Sequence, residues 1–314
     1  MFILLGILMG FGLPLQTGIN ARLTHKLGSP YNASFVSFII AFIFLLLLVF
    51  ITEQNYFIPF GELAGEPLWI WMGGVCGVIF LTGNIVLFAR LGGVQTVIFP
   101  VLGQILMGLI IDNFGLFYAP QTDLTLLRIL GAILVLLGVI NVVMAKKTPD
   151  NNLLNKPKRQ HTLLWQIFGI IAGMLSTVQT AVNGHLGIIL ASPVKAAVIS
   201  FIIGIALLAV ICVIILLQRK TVSALRIELR RRENYPWWIW LGGILGGLFV
   251  LTNAYLSNII GTGMTIIAIL IGSTSGGLII DCFGLLGSER KPVGMRQIFG
   301  IIIMIIGAAA IKLF

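Results

Sequence analysis

Apolar positions along this chain gather into runs of about 20 residues, the length of helix that crosses a hydrocarbon layer of about 30 Å. Ten such runs are read, at roughly 2–23, 30–51, 67–89, 92–111, 124–145, 163–185, 193–217, 236–258, 262–281 and 294–313. The pattern predicts an all-α integral membrane protein with ten transmembrane helices. The first run lacks a basic stretch before Phe2, and Pro14, Leu15 and Gln16 offer no small-residue cleavage site. It is therefore expected to stay as a helix rather than leave as a signal peptide. Trp69, Trp71, Trp237, Trp238 and Trp240 mark the starts of spans 3 and 8, where an interfacial aromatic belt is expected rather than a substrate cage.

Composition agrees with lipid as the main solvent. Of 314 residues, 58% are apolar and 10% charged, with a mean hydropathy of +1.08; a soluble domain carries about 25% charged residues. A cytosolic enzyme, a disordered chain and a secreted disulfide scaffold are excluded. Cys76, Cys212 and Cys282 lie far apart, and His25, His161 and His185 form no ligand spacing, so no metal, disulfide or cofactor is expected. The net charge of +10 would suggest nucleic acid in a soluble protein. Here it falls into alternate loops, and no nucleic-acid partner is implied. Loops 1–2, 3–4, 5–6, 7–8 and 9–10 hold most of the Lys and Arg, notably in 146–160 and 218–232, while the opposite side holds only Arg128, Lys195 and Lys312. The positive-inside rule puts both termini outside and the basic loops in the cytoplasm.

Comparing the chain with itself reveals a repeat. Gln16, Thr17, Asn20 and Leu23 realign with Gln179, Thr180, Asn183 and Leu186, and Ser29-Pro30 with Ser192-Pro193. In a second block, Trp69, Trp71, Gly73 and Gly74 match Trp238, Trp240, Gly242 and Gly243. Asn84 matches Asn253, and Gly108 to Gly115 matches Gly277 to Gly284. The expected organisation is a first five-helix repeat at 1–147, a basic cytoplasmic linker at 148–162 and a second five-helix repeat at 163–314. Five helices is an odd number, so direct fusion enters the second repeat upside down. Two inverted repeats are an architecture used for alternating access.

The stretch Leu13 to Arg22, followed by Leu27 to Pro30 and by Ser37-Phe38, resembles the YdcZ-type family of the drug/metabolite transporter superfamily in its fused two-domain form. The resemblance covers nearly the whole chain. It implies a ten-helix transporter of the bacterial inner membrane, with export as the expected direction, a small-molecule substrate and the lipid bilayer as its surroundings.

Polar residues within spans are the candidates for chemistry, because lipid cannot satisfy them. Gln16 and Asn20 share one face of helix 1, as Gln179 and Asn183 do on helix 6. They either line a central cavity or hold neighbouring helices together. Helix 4 adds Gln95, Pro100 and Gln104, and helix 9 adds Ser273 within a glycine and serine run. These are expected on the substrate path, with close packing of small residues as the alternative. Asp112 and Asp281 end helices 4 and 9, where the helix dipole disfavours an anion. Each is either a gate with a basic or N–H partner, or a solvated interfacial residue. No acid lies mid-span and no nucleophile–base pair is found, so no catalytic residue is expected. The reading is a secondary exporter of small polar or amphipathic metabolites; the alternative is a flippase-like translocator of a polar lipid.

Overall fold

A computed structural model describes residues 1–53, 60–145, 162–218, 236–285 and 293–313. Most of both large basic loops, 146–160 and 218–232, falls outside the described residues, as does the greater part of the 148–162 linker. Among the described residues there is no strand, and ten helical segments are long and apolar enough to cross a membrane. The helices are α1 (Phe2–Leu27), α2 (Pro30–Thr52), the single turn α3 (Phe60–Leu63), α4 (Met72–Phe114), α5 (Leu126–Ala145), α6 (Thr162–Ile189), α7 (Pro193–Gln218), α8 (Leu241–Ile260), α9 (Thr262–Phe283) and α10 (Met295–Leu313). Short 3-10 turns at Leu68–Trp71 and Trp237–Trp240 lead into α4 and α8.

Spans 3 and 4 both lie within α4, yet they are not one rod. Gly77 faces Gln179 and Gly83 faces Phe168 and Ala172, so the first limb descends along α6. Gly169 then meets both Leu87 and Phe99, after which Gly103 faces Ile170 and Gly108 faces Thr177. The chain therefore reverses between Leu87 and Phe99, and both limbs pack on α6. In the second half the matching reversal is a backbone break at Gly261 (φ 83°, ψ 158°), a conformation open to glycine.

The halves interlock rather than stand side by side. Helix α6 packs against the two limbs of α4, and α1 packs against the hairpin of α8 and α9. Helices α2 and α7 cross with Phe38 and Phe201 edge to face at 4.8 Å, themselves equivalent positions. Helices α5 and α10 run antiparallel, with Gly131 against Gly307 and Gly138 against Gly300. Gly131 is equivalent to Gly300 and Gly138 to Gly307, so exchanging the halves turns one contact into the other, as a two-fold relation requires. Near-backbone contact needs glycine here: a Cβ on Gly131 would lie 2.7 Å from the Gly307 carbonyl oxygen.

Two ends of the bundle follow from these contacts. At the Trp238 end lie the C-terminus of α1 and the start of α8, with the Arg22 guanidinium 5.1 Å from the Trp238 ring and Lys26 Nζ 4.6 Å from the Trp240 ring. At the Asp112 end lie the close of α4, the start of α9, Trp69 and the beginning of α7.

Candidate functional site

The amide pairs sit in two helix seams. On α1, Gln16 and Asn20 face the start of α8, and the Ser37 hydroxyl on α2 donates to Asn20 Oδ1 at 2.8 Å. Gly242 leaves room for the Asn20 amide, and a Cβ on Gly246 would lie 2.6 Å from Gln16 Nε2. On α6 the arrangement recurs with the halves exchanged. The Ser200 hydroxyl donates to Asn183 Oδ1, Gly73 leaves room for that amide, and a Cβ on Gly77 would lie 2.6 Å from Gln179 Nε2. Asn20 and Asn183 are 2% and 1% exposed, so neither faces lipid.

The other expected path residues divide. Gln104 Nε2 donates to Ser176 Oγ at 3.3 Å across α4 and α6, and the Gln104 carbonyl accepts from the Thr177 hydroxyl at 3.2 Å. Ser273 turns its hydroxyl back to the Leu270 carbonyl of its own helix at 3.1 Å. The side chains of Gln95 and Asp281 lie outside what the structure describes. Gln16, Asn20, Gln179 and Asn183 thus form two equivalent seams rather than a single cluster, and Gln104 joins α6 at a third place.

Asp112 is the most heavily bonded acid among the described residues. It is 1% exposed. Its Oδ1 accepts from the backbone N–H groups of Thr262 at 3.0 Å and Gly263 at 3.2 Å, and its Oδ2 accepts from Gly263 at 3.0 Å. A terminal guanidinium nitrogen of Arg128 lies 3.4 Å from Oδ2. The anion misplaced at the C-terminus of α4 is thus well placed at the N-terminus of α9, where unpaired N–H groups and the dipole favour it. Asp112 is therefore buried and partnered rather than a solvated interfacial residue. Its backbone donors come from the opposite half and not from the Phe-Gly turn that follows it.

Further polar ties surround this clasp. Glu53 at the end of α2 lies 3.9 Å from Lys195 Nζ on α7 and accepts from the Ser192 hydroxyl. Glu66 lies 3.4 Å from His185 Nε2 on α6. The imidazole stacks among Trp69, at 5.3 Å, and Tyr118, at 4.7 Å. Glu53–Lys195 and Glu66–His185 join the first half to the second.

Comparison with known proteins adds the family. A family model described as "Putative inner membrane exporter, YdcZ" matches residues 1–141 and 164–310. The chain belongs to this family. Both matched segments fall on the two runs that realign in the sequence, and the YdcZ family places the chain in an inner membrane as a multi-pass transporter. A crystal structure of a protein 15% identical to it covers 98% of this chain and 97% of that one, with a TM-score of 0.61, which establishes a shared fold. No protein among the curated ones matches.

Two sets of residues in this YdcZ-family chain escaped the sequence reading. Arg128 and Lys195 were visible as basic exceptions on the sparsely charged side, and that oddity was their signal. Of the glycines at 73, 77, 242 and 246, the sequence comparison uses Gly73 and Gly242 to align the repeat and does not single out Gly77 or Gly246. Their spacing of four puts two bare positions on one helix face, a sign of a backbone that something polar approaches.

Proposed function

We propose that this transporter exports small polar or amphipathic metabolites by alternating access between its two interlocked halves. The observation that carries this is the exchange of contacts. The first helix of each half lies in the hairpin of the other, so one half can take up the other's packing. The charge bias of the loops supports placing the Asp112 end outside and the two basic loops inside. The clasp then supports reading this form as closed on its outer side. The reading assigns no catalytic residue and no cofactor.

Cysteines introduced at Asn20 and Asn183, read for accessibility from each side of the membrane in Asp112→Asn and Asp281→Asn backgrounds, test the cycle. Loss of either helix-end charge is expected to shift the resting populations in opposite directions. A difference of about 1.4 kcal/mol is a tenfold shift, well within detection. Equal or absent shifts reject the exchange. Labelling of intact cells near residues 151 and 314 tests the orientation: an impermeant reagent that reaches 151 and not 314 reverses it. Solute flux in proteoliposomes, set beside a fluorescent-lipid scrambling assay, separates solute export from lipid translocation.

A further inference from the structure

The seams contain buried hydrogen-bonding atoms that nothing among the described residues satisfies. Asn20 Nδ2 and Gln16 Oε1 have no partner on α1, and Asn183 Nδ2 has none on α6. All three side chains are more than nine-tenths buried. Asn84 also keeps an unmet oxygen, but the two asparagines of α8 are treated differently. Asn253 Oδ1 accepts from Thr180 and its Nδ2 donates to the Phe249 carbonyl, while Asn258 Nδ2 donates to the Gly184 carbonyl. Buried amides that serve packing are satisfied in this way. An unmet donor at the same place in both halves carries the desolvation cost twice over and calls for a ligand.

The chemistry of that ligand can be read from the unfilled atoms. The serine hydroxyls already occupy the Asn20 and Asn183 oxygens, so the open function on each asparagine is an N–H donor. Gln16, one turn before Asn20 on the same face with their Cβ atoms about 5–6 Å apart, presents an open acceptor. One primary carboxamide fits both atoms of the α1 seam, its carbonyl accepting from Asn20 and its NH2 donating to Gln16; in the α6 seam the open atom is Asn183 Nδ2, which takes the carbonyl. A carboxylate would leave Gln16 Oε1 facing lone pairs, and an ammonium would leave the asparagine N–H facing another donor. The groups against these amides are Ser37, Ser200 and glycine backbone, all uncharged. We propose that the two seams are successive half-sites for an uncharged solute bearing a primary carboxamide or a similar donor–acceptor group, each presented as its seam opens. This rests on the alternating-access reading and specifies the substrate class for it.

The test uses the full-length protein in detergent and three solutes on one carbon skeleton: malonamide, malonate and propane-1,3-diammonium, at equal concentration and ionic strength. A solute that binds the folded form raises the unfolding midpoint. Malonamide is expected to raise it, the two ions are not, and the rise is expected to vanish in the Asn20→Leu/Asn183→Leu variant. If that variant does not fold, the smaller Asn20→Ala/Asn183→Ala variant removes the same donors without adding bulk. A rise with either ion equal to that with malonamide overturns the proposal. So does a malonamide shift that survives in the variants, or no shift with any of the three. Alternating cysteine accessibility without a malonamide effect overturns the half-sites and leaves the transport cycle standing. A malonamide effect lost in the variants supports the half-sites even where accessibility does not alternate.

Discussion

In the α1 seam Ser37 donates to Asn20 above Gly242, and in the α6 seam Ser200 donates to Asn183 above Gly73. The helix ends do not repeat so closely. Arg128 on α5 pairs with Asp112, but the equivalent place on α10 holds Gln297, whose Oε1 accepts from the Gly294 N–H at the start of its own helix. The seams keep the same serine–asparagine hydrogen bond in both halves, while the place of the Arg128 cation is taken by an uncharged residue in the second half. In the proposed reading, the part that handles the solute is therefore built twice around the same serine–asparagine pair. In the same reading, what holds an end closed is tuned separately at each face.

The largest effect should come from the clasp. Asp112→Ala leaves the buried Arg128 guanidinium without its acid and the α9 N–H groups without their acceptor, and is expected to cost about 3–5 kcal/mol. Adding Arg128→Gln should recover part of that, because the stranded charge is removed. Gln297→Ala should cost only about 1 kcal/mol, the scale of a lost cap. Chemical or thermal unfolding in detergent measures all three, and a cost for Gln297→Ala equal to that for Asp112→Ala would erase the contrast.

Next come the glycines that touch backbone. A Cβ on Gly103 would run into the Ile170 carbonyl, and one on Gly272 into the equivalent Ile7 carbonyl. No rotamer change relieves a clash with main chain, so each alanine variant should lose about 3 kcal/mol, the upper part of the overpacking range. Similar losses sharpen the view that the halves share one packing scheme; a loss in one alone breaks it.

The seams predict a matched pair of moderate size. Ser37→Ala and Ser200→Ala each strip the serine hydrogen bond from a buried asparagine oxygen and should cost about 1–2 kcal/mol, nearly equally. The smallest effect lies in the turn before Ser-Pro. Gly28 there takes φ 68° at the C-cap of α1, while its counterpart Ala191 takes φ 47°. Only glycine adopts this left-handed conformation without strain. Ala191→Gly should therefore stabilise by about 0.5 kcal/mol and Gly28→Ala should destabilise by about 1 kcal/mol. The same unfolding measurements report the signs.

Most of the fold was legible because hydrophobic length and self-similarity are local properties of a chain. Each apolar run must satisfy its own backbone in lipid, and a helix is the way one segment alone can do so. The repeated Gln-Asn faces were legible for the same reason, since a spacing of four fixes a shared helix face. Their surroundings were not. Asn20 meets Gly242 and Asn183 meets Gly73 only because each first helix lies in the other half's hairpin.

Asp112 shows most clearly where sequence stops. Its position at a helix C-terminus signalled a missing partner, and Arg128 stood out as a cation on the wrong side. Its main donors, however, are the N–H groups of residues 150 and 151 positions further on. Every residue but proline carries such a group, so no residue type announces it. By itself the sequence determined the ten spans, the doubling and the polar positions that lipid must not touch, because burial in a membrane acts on each segment separately. The tertiary structure alone decided which unpaired N–H meets which carboxylate and which glycine lies against which amide, because those pairings depend on how two halves of one chain come together in space.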